Sequence, residues 1–259
     1  MKSVTAFVGS ARKNGFTFAA TRRFLDNLQS LGDVRGEIVF LSDCSLGACR
    51  GCKSCFVRGE DRCPLKDDDR DVLIEKMMTS DGVVLASPNY SFHVSAIMKT
   101  FLDRIGFVFH RPCFHGKAFT GIVVQGFYGG DKILKYLDFV GLGLGFNVVK
   151  GSCVQALDPI AEADRQKMVK TLAGHSRRFY ERLSKPAYPP PSVLQLMVFR
   201  SSRVSAKLLA DEDNRDHSYY RDKGWFESDY FYPTNLDPLK RIGGKLFDRM
   251  APTIRKMIA

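Results

Sequence analysis

Four cysteines stand close together at Cys49, Cys52, Cys55 and Cys63, and Pro64 follows the last of them. Gaps of two, two and seven residues put three thiols on one tight turn, which Gly51 permits, and return a fourth from a short excursion. Sulfur ligands so spaced suit a cubane of iron and sulfide, and the run is close to the bacterial ferredoxin pattern apart from its longer final gap. Zinc also accepts four thiolates. A redox-active disulfide or plain structural thiols stay open as readings, and Cys44 is a fifth thiol nearby. The two-and-two spacing favours iron.

A second stretch that could do chemistry is Gly9-Ser10-Ala11-Arg12-Lys13-Asn14-Gly15-Phe16-Thr17, between a strand-like run and a helical one. Backbone N–H groups and the dipole at a helix start favour an anion there. Ser10 and Thr17 add hydroxyls, and Arg12 adds charge, so the loop reads as a phosphate cradle. It is neither Gly-x-Gly-x-x-Gly nor the nucleoside-triphosphate loop ending in Gly-Lys-Ser/Thr. A plain turn entering a helix is the simpler reading of the same residues.

Both stretches need a frame. The runs 3–8, 37–41, 82–86, 118–124 and 146–149 read as strands, and residues at helical spacing follow them, such as Val94, Ile97, Phe101 and Ile105 after the third. Five strands alternating with five helices imply an α/β fold, a doubly wound five-stranded parallel sheet covered on both faces. In such sheets ligands sit beyond the carboxyl ends of the strands, so the loops after strands one, three and four should converge. The triplet Asp67-Asp68-Asp69 reads as a solvated helix cap. Pro186 and Pro189-Pro190-Pro191 mark a boundary, giving a domain over 1–184 with its Cys-rich loop at 44–63 and a helical extension over 185–259.

In the extension, an aromatic cluster (Tyr219, Tyr220, Trp225, Phe226, Tyr230, Phe231, Tyr232) precedes an apolar stripe of Leu239, Ile242, Leu246, Met250 and Ile254. Lys240, Arg241, Lys245 and Arg249 are interleaved with the stripe. These helices are expected to pack on the core or on a second subunit. A basic helix lying on a membrane is the alternative, weakened by Gly243-Gly244.

The chain has 259 residues and a formal charge of +11. The excess is spread, with 26 Lys/Arg against 19 Asp/Glu up to residue 184 and 13 against 9 beyond it. No zinc-finger, homeodomain or RNA-recognition motif accompanies the charge, so no nucleic-acid partner is expected. No apolar run approaches the roughly 20 residues of a membrane span, and Met1-Lys2-Ser3-Val4 leads directly into a strand. A cytoplasmic protein is expected, and seven cysteines gathered mostly in one loop fit a reducing compartment. Cys113 and Cys153 read as buried small hydrophobes. His93, His110 and His115 lack the companions of a hydrolytic triad and read as surface or capping residues, with His93 a candidate to orient substrate.

Gly-Ser-x-Arg-x-x-Gly-x-Thr after the first strand, Ser87-Pro88-Asn89-Tyr90 after the third and the Gly-rich loop after the fourth together resemble the flavodoxin-like NAD(P)H-dependent FMN reductases. The cysteine loop narrows the resemblance to the iron-sulfur flavoprotein branch. The resemblance implies an FMN phosphate on Ser10, Arg12, Asn14, Gly15 and Thr17. It implies an isoalloxazine against Pro88, Asn89, Tyr90, Ser91 and Phe92, with Gln125, Gly126, Phe127 and Gly129 on the other side. It further implies a 4Fe-4S cluster on Cys49, Cys52, Cys55 and Cys63, NAD(P)H as co-substrate, and a homodimer or homotetramer. Hydride delivery to a flavin needs no protein base, so no catalytic side chain is named. Two other functions fit the same residues: an electron carrier reduced by a ferredoxin-type donor, and a cluster-free quinone or nitroaromatic reductase.

Overall fold

The structure is a computed structural model that describes residues 1–208 and 214–258; the side chains of residues 249 and 251–258 lie outside the description, so Arg249 and Ile254 of the expected stripe do too. The chain divides into two compact units, Met1–Arg50 with Asp67–Ala187, and Gly51–Lys66 with Tyr188–Ala259.

The first unit is a parallel sheet with helices on both faces. Its elements are β1 (Lys2–Val8), α1 (Phe16–Leu31), β2 (Val34–Phe40), and, beyond a short α2 (Ser54–Val57) of the second unit, α3 (Arg70–Thr79), β3 (Gly82–Pro88), α4 (Ala96–Arg104), β4 (Ala118–Gln125), α5 (Gly130–Gly143), β5 (Asn147–Val148), β6 (Ser152–Gln155) and α6 (Glu162–Leu183). The strand order is β2-β1-β3-β4-β5, all parallel, with β6 also on β4. This is the flavodoxin-like order, whose switch point lies between β1 and β3. Continuous apolar runs in β3 and β4 are buried along nearly their whole length, as strands covered on both faces must be. Alternate residues Val4, Ala6 and Val8 pack with Phe24, Leu28, Leu172 and Phe179 of α1 and α6. From the opposite face Phe7 stacks on Phe101 of α4, with ring centroids 5.5 Å apart.

The expected fifth strand is two short pieces. Ala118 pairs with Asn147, but Ile122 pairs with Ser152, so the register slips by one residue between β5 and β6. Gly151 lies in the slip, and a Cβ there would come 2.3 Å from the carbonyl oxygen of Gly121. The bulge and the close backbone approach have one cause.

The acidic triplet departs from a solvated cap. Asp68 is buried and receives the Arg104 guanidinium at 2.6 Å, with side chains 7% and 2% exposed. Asp68 also accepts from Gly47 N–H at 3.3 Å, and Asp69 accepts from Ser45 N–H at 2.7 Å. The two carboxylates tie the segment entering the cysteine loop to α3 and α4.

The second unit contains α2, α7 (Val193–Leu208), α8 (Arg215–Asp222) and α9 (Pro238–Ile258). The aromatic cluster expected to pack on the first domain or on a second subunit forms this unit's own core: Tyr220, Trp225 and Tyr230 join Leu196, Phe199 and Leu236. Trp225 Nε1 donates to the Phe231 carbonyl at 3.1 Å, which satisfies the one polar group of a buried indole. Arg215 of α8 pairs with Glu60 at 3.0 Å, fixing the segment 51–66 to the same unit.

Candidate functional site

Adjacent strands bring three loops to one edge of the sheet. Val8 lies beside Ala86, and Pro88 beside Val124, so the loops leaving β1, β3 and β4 are neighbours. The first is clamped to the second: Gly9 N–H donates to Ala86 O at 2.8 Å, and the Ser95 hydroxyl donates to Gly9 O at 2.5 Å. The same hydroxyl accepts from Met98 N–H at 3.2 Å and so caps α4. Gly9 has to be glycine here, because a Cβ would lie 2.8 Å from Met98 Cβ and 2.9 Å from Ser95 Oγ.

Beyond the clamp the loop folds on itself. Arg12 N–H donates to Ser10 Oγ at 3.3 Å and Gly15 N–H to Arg12 O at 3.1 Å. Gly15 is the N-cap of α1, no side chain caps that helix, and no acidic residue stands in its first turn. Ser10 and Thr17 are buried at this end, while Arg12 and Asn14 are exposed. A sixteen-residue helix starting without a side-chain cap, between two buried hydroxyls and an arginine, fits a phosphate group.

The second and third loops hold each other. Asn89 N–H donates to Val124 O at 2.8 Å, and Asn89 Nδ2 donates to Tyr128 O at 2.9 Å. Tyr90 and His93 exchange backbone hydrogen bonds of 3.1 and 3.0 Å, closing a two-residue turn on Ser91 and Phe92, both left-handed at φ 48° and 63°. Two non-glycine residues in that region cost on the order of 1 kcal/mol or more each. The turn thrusts Phe92 outward, where its ring meets Tyr128 at 5.2 Å. Gly129, at φ 92°, passes beneath that ring, and a Cβ there would lie 2.9 Å from Phe92 Cδ1. Gln125 accepts from Gly130 N–H at 2.7 Å, so its amide oxygen helps shape the loop. Phe127 and Tyr128, at 74% and 68% exposed, form an open aromatic rim with Phe92. The His93 ring lies 4.9 Å from that of Tyr136, whose hydroxyl pKa is raised mainly by burial.

The structure therefore brings the fourteen residues named from sequence onto three adjoining loops and the element ends that flank them, Thr17 in α1, Pro88 in β3 and Gln125 in β4. Sequence reasoning passed over Ser95, Ser87 and Tyr128 as site residues. Ser95 carried a usable signal, a serine directly before an apolar helical run. Ser87 accepts from Ser95 N–H at 3.0 Å, a pairing eight residues apart that no local pattern announces.

The cysteines are placed differently. Cys49 belongs to the first unit, and Cys52, Cys55 and Cys63 to the second. Among the described residues no three His, Cys, Asp or Glu side chains gather as a metal site. Donor chemistry fits a cluster, since Gly51 and Lys53 take left-handed φ values of 64° and 59° around Cys52. The Cys52 pKa is lowered, chiefly by the backbone N–H of Ser54. Cys44 points elsewhere: its thiol donates to Phe40 O at 3.4 Å, and burial raises its pKa. Cys153 is held up to about 11 by burial, as a structural thiol should be. His115 is half-buried and hydrogen-bonds the backbone at Pro112 and Gly145, as a capping residue would, and burial pushes its pKa down to about 4.

Fold and loops together define a flavodoxin-like flavoprotein of the oxidoreductase class. The chain belongs to the NADPH-dependent FMN reductase family, whose model matches residues 2–156, and within it to the iron-sulfur flavoprotein branch. An iron-sulfur flavoprotein of Archaeoglobus fulgidus is 36% identical over 161 residues, covering 58% of this chain and 71% of that protein. One from Clostridioides difficile is 26% identical over 214 residues, 81% of this chain and 92% of that protein. Among solved structures, RosB with bound 8-demethyl-8-formylriboflavin-5'-phosphate matches at a TM-score of 0.60 over 92% of each chain, at 10% identity, a likeness of fold.

Proposed function

We propose that the protein is an FMN-dependent oxidoreductase that takes electrons from NAD(P)H, with Cys49, Cys52, Cys55 and Cys63 as ligands of a 4Fe-4S cluster. FMN, when bound, accepts a hydride and can release its electrons singly, which is the chemistry the protein must house. The observation that carries the reading is the uncapped start of α1 beside buried Ser10 and Thr17, at the switch point of the sheet. Ser10, Arg12, Asn14, Gly15 and Thr17 hold the phosphate. Pro88 to Phe92 lie against one side of the flavin ring, and Gln125, Gly126, Phe127 and Gly129 against the other. The cysteine spacing and the names of the relatives support the cluster. The exposed rim of Phe92, Phe127 and Tyr128 supports a homodimer or homotetramer that covers it. Among the described residues no helix is long and apolar enough to cross a membrane.

Two measurements on anaerobically purified protein test the reading. Flavin fluorescence titration should give one FMN per chain, and Ser10→Ala with Thr17→Val should weaken it by about tenfold per hydroxyl lost, the worth of a hydrogen bond to a charged group. Iron and acid-labile sulfide should stand near four of each per chain. Unchanged FMN affinity in the double variant contradicts the phosphate site; flavin without iron contradicts the cluster and returns the cluster-free reductase.

A further inference from the structure

The face of α9 in the second unit has no counterpart in the flavin chemistry. Asp248 of α9 accepts from Arg200, and from Arg203 at 2.7 Å. Gly244 lies flat on the Arg200 guanidinium, where a Cβ would come 2.6 Å from Nε. These contacts fix which side of α9 faces α7. Residues turn by about 100° each along a helix, so position 242 points the other way, while Leu239, Leu246 and Met250 lie at the edge that borders α7. The exposures agree: Leu239, Ile242, Leu246 and Met250 are 81%, 59%, 54% and 58% exposed. Four residues of the expected stripe are thus exposed within this chain, while Ile254 lies outside the described side chains.

Its surroundings select among occupants. Val193 and Met197 of α7, both exposed, join Leu239, Leu246 and Met250 around a groove of about 400 Å³. Arg200 at its floor pairs with Asp229 and Asp248, and Lys240 on its wall lies 3.7 Å from Asp237 and donates to the Pro191 carbonyl at 3.0 Å, so both cations of the groove already have partners. Along the helix, by contrast, the sequence supplies Arg241, Lys245, Arg249, Arg255 and Lys256 against the single Asp248, which is already paired inward. A second copy meeting this face across a two-fold axis would oppose like charges. An anionic lipid surface complements both the apolar stripe and the basic flank.

We infer that α9 docks the protein on the surface of an anionic phospholipid membrane, with Ile242 and Leu246 entering the headgroup boundary and Arg241 and Lys245 over the phosphates. The probe is cosedimentation of the full chain with vesicles of phosphatidylcholine alone or mixed with phosphatidylglycerol. Binding is expected to the mixed vesicles, about tenfold or more weaker to phosphatidylcholine, and reduced by salt. Arg241→Gln and Lys245→Gln should each cost about fivefold in partitioning. Ile242→Glu with Leu246→Glu should abolish binding while leaving helix content, FMN content and oligomeric mass unchanged. No binding of the wild type to the anionic vesicles overturns the inference. So does a Glu variant that lowers the oligomeric mass, which assigns the face to a second copy.

Discussion

Ser95 joins two tasks in one hydroxyl: it caps α4 by receiving Met98 N–H, and it holds Gly9 in place at the start of the loop after β1. Ser95→Ala should destabilise the protein by about 1 kcal/mol, the cost of a lost N-cap, and should weaken FMN binding as the loop loosens. Ser95→Thr, which keeps the hydroxyl, should recover most of both, as read from denaturant midpoints and flavin titration. Gly129→Ala is expected to cost on the order of 1–2 kcal/mol, because the left-handed backbone and the Phe92 ring both resist a Cβ. A buried histidine sets a pH dependence. The Thr120 hydroxyl donates to Val149 O at 2.9 Å, so it accepts from His175 Nε2–H at 2.7 Å, leaving Nδ1 unprotonated among apolar neighbours. Burial lowers the His175 pKa to about 3, and that of His115 to about 4. The unfolded chain binds these protons first, near pH 6.5. Stability is therefore complete above that pH and is lost as pH falls toward the folded values, by at most about 1.4 kcal/mol per pH unit for each histidine. Denaturant midpoints measured between neutral and acid pH should fall, and His175→Phe should flatten part of the slope.

At the scale of elements, the strands that position the site were legible because they are buried on both faces and so run continuously apolar, as 82–86 and 118–124 do. The shape of the three loops was legible for a related reason: Gly9, Gly15 and Gly129 serve close approaches or turns that leave a mark in composition. The split of the fifth strand was not, since its register depends on β4 and on the contact of Gly151 with Gly121. Nor was the role of Asp68, whose partner Arg104 lies on a different helix. Asp68→Asn removes the carboxylate facing a buried guanidinium and should cost about 3 kcal/mol or more. Because the same carboxylate holds Gly47, added proteolytic sensitivity between β2 and α3 should accompany the loss, and a surface control such as Asp26→Asn should show neither effect.

At the scale of the whole molecule, the alternation of strand and helix announced the parallel sheet with its flanking helices. What the linear pattern withheld was which residues the second unit would recruit. Segment 51–66 joins it through Arg215 and Glu60, a pair 155 residues apart. The helical stripe of α9 was visible as a period, but a period says only that one face is apolar and not what covers it. The four thiols show the same limit: their spacing names a chemistry, but among the described residues no three His, Cys, Asp or Glu side chains gather as a metal site. The account as a whole rests on the three loops of the first unit serving a flavin that nicotinamide reduces. Anaerobic stopped-flow mixing of the FMN-loaded protein with NADH and with NADPH addresses that directly. The visible flavin absorbance should bleach with at least one of them, in a saturable manner. A flavin that stays oxidised at millimolar concentrations of both, yet bleaches with a reduced ferredoxin, would contradict the nicotinamide-linked enzyme and establish an electron carrier in its place.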